Sequence, residues 1–215
     1  MQSVFTALKQ GTHSQHVALE NTYPFSLYQT NSAPDKAVYL DILNVMLHFH
    51  KQVGVVIEVL NTHSDIVSLA QLLNQTSVVA ALEADIKHLE AEFHAGAGNK
   101  ELPSVFNQEF TNVENTPSVA ISAMYVWLGS SMGANVLLRR LKSTSELPVN
   151  YYSAMAECAR AWVEFKQQVD SLLPSFAAEE DNIHSNMLEN ANRWFAFLIC
   201  LGEQVTPVES CQEQY

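Results

Sequence analysis

Thr12, His16 and Glu20 follow one another at four-residue spacing in "GTHSQHVALENTYPF". A helix turns by about 100° per residue, so the three side chains stack as one column. If that column faces a pocket, one nitrogen of His16 can bind a metal while the other takes a polar partner, and Glu20 is a candidate for that partner. The same spacing also fits an ordinary polar helix face. A second feature is "YVWLGSSMGANVLLRRLK", where Gly129 and Gly133 interrupt a strongly apolar stretch. Each glycine costs a helix up to about 1 kcal/mol relative to alanine, so a compensating role is expected. That role is close approach: a flat ligand, or another helix, can lie against the bare backbone. Ser130, Ser131 and Asn135 are placed to organise polar ligands or water.

Other polar groups offer a rival chemistry. Asp85-x-x-His88 and Asp181-x-x-His184 have the spacing of carboxylate and imidazole ligands in a dimetal helical bundle, with Glu20 and Glu58 as further carboxylates. The repeated Glu-x-x-His pattern of such bundles is absent, and a solvated polar face is the simpler expectation for each pair. His48 and His50, two apart, point in different directions, while His63 and His94 fall near turns. Cys158 and Cys200 read as buried thiols in apolar-periodic segments, and Cys211 as part of a mobile end. Trp127, Trp162 and Trp194 read as core or pocket wall.

Apolar residues recur at three- and four-residue spacing through nearly every long segment, and sustained alternation is scarce, which predicts an all-α fold. Leu8, Thr12, His16, Leu19 and Tyr23 share one face of a first helical segment that Pro24 stops. A second helix is expected from Lys36 to about Leu60, and a short one over "IVSLAQLL" with Ser64 or Asp65 as cap. "TSVVAALEADIKHLEAEF" predicts another, with Val79, Leu82, Ile86, Leu89 and Phe93 as its apolar stripe, followed by the polar connection "HAGAGNKELP". Further helices are expected over 117–142, 148–172 and 178–201, separated by "STSELP" and "LLPSF", with Pro117 and Pro148 at helix starts. These elements make one helical domain over 1–205, with 206–215 a flexible tail.

Composition narrows the partners. The 215 residues carry 11 basic and 23 acidic side chains, a formal charge of -12, so phosphate backbones are repelled on average and no nucleic-acid partner is expected. Three scattered cysteines make neither a disulfide framework nor a paired metal motif, and fit a reducing, cytoplasmic setting. The start lacks the pattern of a secretory signal, and "PSVAISAMYVWLGSSMGANVLLRRL" reads as a buried helix rather than a membrane span.

Taken together, the two helical stretches resemble the haem oxygenase family, especially its bacterial members. "LKQGTHSQHVALE" is similar to the family's N-terminal signature, and "GSSMGANVLLRRL" to its distal helix. "ALEADIKHLE" and "ENANRWFAFL" also look like family segments, so the likeness spans nearly the whole chain. By this resemblance Lys9 corresponds to a basic partner of a haem propionate, Thr12 to the family's threonine, His16 to the proximal iron ligand and Glu20 to the family's glutamate. Gly129 and Gly133 match the glycines that let the distal helix bend over haem. Ala134 replaces an adjacent glycine, and Ser130 stands where mammalian forms carry an aspartate. Tyr125, Ser131, Asn135 and Arg139 complete the implied haem contacts, with Arg140 and Lys142 as further basic candidates.

The implied reaction opens haem, both cofactor and substrate, at a meso carbon to give biliverdin, carbon monoxide and ferrous iron. It consumes O2 and electrons from a ferredoxin, flavoprotein or reductase. Gly129, Ser130 and Gly133 would hold the water that delivers protons during oxygen activation. A haem carrier without turnover is the alternative closest in chemistry.

Overall fold

The computed structural model describes residues 3–29, 34–59, 64–95, 116–144 and 146–205. Every regular element among them is helical: α1 (Val4–Gly11), α2 (His13–Asn21), a 3₁₀ turn (Phe25–Gln29), α3 (Lys36–Val59), α4 (Ser64–Ala70), a 3₁₀ turn (Gln71–Leu73), α5 (Gln75–Ala95), α6 (Pro117–Thr144), α7 (Asn150–Cys158), α8 (Ala161–Glu179) and α9 (Ile183–Gln204). The all-α expectation holds. Leu60, His63, Cys211, most of "HAGAGNKELP" and the tail 206–215 lie outside the described residues.

The architecture follows from α6. Every residue from Pro117 to Leu128 is buried, and a segment apolar on all sides must be enclosed by others. Helices α9, α7, α3, α8 and α4 supply that enclosure, with α5 packed outside α3 and α7. Although α6 is long and apolar enough to cross a membrane, its N-terminal half sits inside this bundle as a core helix does. Trp127, Trp194, Tyr39, Phe49, Phe165 and Phe176 are the largest side chains sealed in the core.

Two buried carboxylates fix helix starts from a distance. Asp85 on α5 accepts the backbone N–H groups of Asn150 (3.3 Å) and Tyr151 (2.9 Å) and the Asn150 side-chain amide (2.6 Å), so it caps α7. Glu180 accepts the Ser118 N–H at 3.0 Å near the start of α6, and the Asn186 amide at 2.8 Å. Asp85 is therefore not part of a solvated face, contrary to its expected setting. Burial raises its pKa despite these bonds.

Three boundaries differ from the expected ones. The segment expected as one helix over 148–172 is two, divided at Ala159–Arg160. Pro148 precedes α7 rather than opening it, and its carbonyl accepts the Tyr39 hydroxyl at 2.7 Å. "LLPSF" is no break: α8 runs through Pro174 to Glu179, because Pro174 faces solvent while Phe176 is buried and Leu172 and Leu173 are half-buried. The chain turns instead at Asn182, whose φ of 59° is the left-handed conformation that asparagine tolerates.

Candidate active site

The column on α2 begins in the core and ends in the open. Thr12 is buried at the junction of α1 and α2, where its hydroxyl donates to the Leu8 carbonyl at 2.8 Å. Backbone bonds from Thr12 N–H to Leu8 and from His16 N–H to Thr12, each 2.9 Å, carry the helical register across the junction. One turn on, the His16 side chain is 55% exposed, with Nδ1 3.4 Å from Glu20 Oε1. That neighbour favours the proton on Nδ1 and leaves Nε2 with the lone pair a metal needs. The imidazole also stands edge-on to Phe195 of α9, ring centres 5.7 Å apart, which braces its orientation. No residue of α2 is buried, so the helix is held through its neighbours, chiefly α9 and the Phe25–Gln29 turn.

The glycine helix carries a matching stripe. Tyr125, Gly129, Met132, Gly133, Val136 and Arg140 follow at three- and four-residue spacing and so share one face of α6. A Cβ added at Gly129 or Gly133 would meet nothing within 4 Å. Met132 and Val136 are 53% and 66% exposed, unusual for apolar side chains in one stripe. Both glycines have ordinary helical backbone, and α6 runs unbroken through them. What they contribute is bare backbone, not a break.

The two stripes are joined at both ends. Tyr125 lies near Thr12: burial raises the phenol's pKa, and the Thr12 side chain partly offsets that rise. At the other end Arg140 Nη1 donates to the Tyr28 carbonyl at 2.7 Å, just beyond α2. Arg140 comes fifteen residues after Tyr125 along α6, about 22 Å of helix at the usual rise. The chain from Thr12 to Tyr28, which carries His16, thus meets α6 at both ends of the stretch whose glycines face open space. An accessible imidazole, a bare helix face and exposed apolar side chains suit a broad flat ligand with a central metal.

The remaining candidates fall around this frame. Ser130 is exposed on its flank and donates to the Trp127 carbonyl at 2.6 Å, keeping its oxygen as an acceptor. Ser131 is fully buried, donates to the Leu128 carbonyl at 2.6 Å, and lies on the core side of α6 away from the open stripe. Asn135 is half-buried and Arg139 exposed. Lys9 borders a groove of about 630 Å³ at the Tyr125 end, opposite Trp162 and Lys166. Basic groups therefore stand near each end of the open stretch. Sequence reasoning missed Phe195 as a neighbour of His16 and the Tyr28–Arg140 tie; only the position of Phe195 in "ENANRWFAFL" hinted at the first.

The rival metal pairs are not assembled. Asp85 is committed to α7, His88 is exposed beside Glu92 (3.6 Å), and Asp181, His184, Glu20 and Glu58 are all exposed. Among the described residues no three or more His, Cys, Asp or Glu side chains gather as a metal centre. Cys158 is buried, with its thiol pKa raised by desolvation, and Cys200 is half-buried.

The family model described as "Heme oxygenase" matches residues 2–203, and the chain belongs to that family. Haem-degrading oxygenase activity, with haem as substrate, is the family's general function. A comparison with curated proteins found no match.

Proposed function

We propose that the chain is a biliverdin-producing haem oxygenase whose substrate lies between α2 and the open stripe of α6. The observation that supports this most directly is that the chain meets α6 twice, Thr12 near Tyr125 and the Tyr28 carbonyl bonded by Arg140, bracketing an exposed His16 and two glycines that face open space. Haem supplies the iron at which dioxygen is reduced and the ring that is opened.

The chain's own residues supply the rest. His16 would hold the haem iron through Nε2, with Glu20 beside Nδ1 and Phe195 bracing the ring. Gly129 and Gly133 let backbone lie close to the opposite face, where a larger side chain would hold the plate away. Met132 and Val136 are the apolar wall that keeps bulk water off the reacting edge. Ser130 takes the place of an acid: its hydroxyl is spent on Trp127, so it accepts from water, and the proton comes through that water. Lys9 offers positive charge to the two propionates, which leave the ring together on one edge, in a chain of net charge -12; Arg139, at the other end of the stretch, is the alternative partner if the plate is turned round. Thr12 and Tyr125 bring the start of α2 to α6, while Ser131, turned into the core, lies behind the stripe and Asn135 is half-buried at its side. Electrons come from a separate ferredoxin, flavoprotein or reductase, in the reducing cytoplasmic setting that the free thiols Cys158 and Cys200 fit.

The test is haem addition followed by reductant under air, with free peroxide removed. A Soret band that decays into biliverdin with release of carbon monoxide and ferrous iron is expected. Stable bound haem, with no biliverdin under a reductant shown to reduce the iron, would make the protein a carrier.

A further inference from the structure

His50 lies in α3 with its ring completely buried, and nothing in the proposed site uses it. Its Nε2 is 3.1 Å from the phenolic oxygen of Tyr151 on α7, also buried, while Nδ1 is buried without a hydrogen-bond partner. Counting unsatisfied atoms assigns the proton. If Nε2–H donated to Tyr151, both the phenolic hydrogen and the Nδ1 lone pair would lack partners. If the phenol donates to Nε2, only Nδ1–H does. Tyr151 is therefore the donor and His50 the acceptor, and burial pushes the imidazole pKa down to about 3, so the ring is neutral with its Nε2 lone pair on the phenol.

A phenol donating to a neutral imidazole in a buried site can lose an electron and a proton together. One electron leaves Tyr151 for an oxidant, the O–H bond breaks, an N–H bond forms at Nε2, and a phenoxyl radical faces an imidazolium. Returning one electron reverses both transfers. The surroundings make this more than a local contact. On one side the His50 ring centre is 3.9 Å from that of Trp127, two residues before Gly129 on α6. On the other, Tyr151 and Tyr152 have ring centres 4.8 Å apart, and the Tyr152 hydroxyl hydrogen-bonds to that of Tyr28, whose carbonyl is held by Arg140. Oxidisable rings thus form a continuous row from behind the glycine stripe to its far end.

We propose that Tyr151 and His50 form a proton-coupled redox pair that takes up oxidising equivalents escaping from the open face of α6, with Trp127 as the relay. This uptake rests on the oxygenase reading, which supplies the one-electron oxidant from activated dioxygen. The pair protects the enzyme: a hole held at Tyr151 is refilled by the same external reductant that drives turnover.

Two arms test it on the full chain. Without haem, a photogenerated ruthenium(III) polypyridyl complex oxidises the protein, and trapped radicals are read by electron paramagnetic resonance. The expected signal is a phenoxyl radical with a hydrogen-bond donor at its oxygen, lost in Tyr151→Phe and stripped of that donor signature in His50→Leu. An unchanged radical in a folded Tyr151→Phe protein overturns the pair. So does a wild-type phenoxyl radical with no hydrogen-bond donor, a result that stands even if the variant fails to fold. In the second arm, haem-loaded protein is treated with hydrogen peroxide. The Tyr151 radical is expected, and is lost in Trp127→Phe; its absence with an intact Soret band overturns the uptake role. Failure to form a Soret band at all counts against the oxygenase reading, while the ruthenium arm still decides the pair.

Discussion

The two halves of α6 belong to one unbroken helix and have opposite surroundings. From Pro117 to Leu128 every residue is packed against another helix; from Gly129 to Arg140 only the side carrying Ser131 and Ala134 is. Ala123 and Gly133 make the contrast concrete, since both are small residues of one helix, yet the first is completely enclosed and the second has empty space where its Cβ would be. The difference teaches that a small residue in an apolar helix carries two meanings. In the closed half it lets neighbours pack; in the open half it keeps a place for something else.

Adding bulk to each half separates the meanings. Gly133→Leu is expected to abolish haem uptake, read as loss of the Soret band on titration, without lowering the urea midpoint, because the new side chain enters open space and leucine favours the helix by up to about 1 kcal/mol over glycine. Unimpaired haem binding by that variant would show that the stripe is not the binding face.

The closed half makes an acid-sensitive prediction through His50, whose ring lies against Trp127. Its folded-state pKa, about 3, is below the ordinary 6.5, so between those values the unfolded chain binds a proton that the folded one does not. Stability from this group is present in full above pH 6.5 and falls as the pH drops, by at most about 1.4 kcal/mol per pH unit. Asp85, whose pKa is raised in the fold, works the other way, favouring the folded state on acidification, so the comparison is with His50→Leu. Urea unfolding at stepped pH from neutral downward should give a steeper loss for the wild type than for the variant. Parallel curves would contradict the buried neutral imidazole.

Ala123→Leu is the counterpart of the glycine substitution. Overpacking the enclosed side should cost roughly 1–3 kcal/mol, seen as a lower urea midpoint, while the haem spectrum of the folded fraction is unchanged. A variant as stable as the wild type would mean that the closed half is looser than its burial implies.

Much of this arrangement was legible in the residues. Spacing located α3 and the start of α6 closely, since one strong periodic stripe and one proline mark them. It merged α7 with α8 because apolar period continues through Ala159–Arg160, and it broke α8 at Pro174 because a proline's cost depends on whether it faces solvent. The Thr12–His16–Glu20 column and the two glycines stood out for the same reason, each being a local pattern. What spacing could not supply was partnership across the chain. Asp85 reaches α7 from 65 residues away, Arg140 reaches Tyr28 from 112, and His50 meets Tyr151 from 101, and nothing local marks any of them. Ser131 shows the limit within a helix: one residue beyond Ser130, it is turned by about 100° from the flank into the core.

The central claim is that His16 ligates haem across from the open half of α6. The direct measurement is the axial-ligand signature of bound ferric and ferrous haem, by absorption and resonance Raman spectroscopy, in the wild type and in His16→Ala. The account predicts a histidine–iron signature in the wild type that is lost in the variant and restored by added imidazole. The same histidine ligation in both proteins would contradict it.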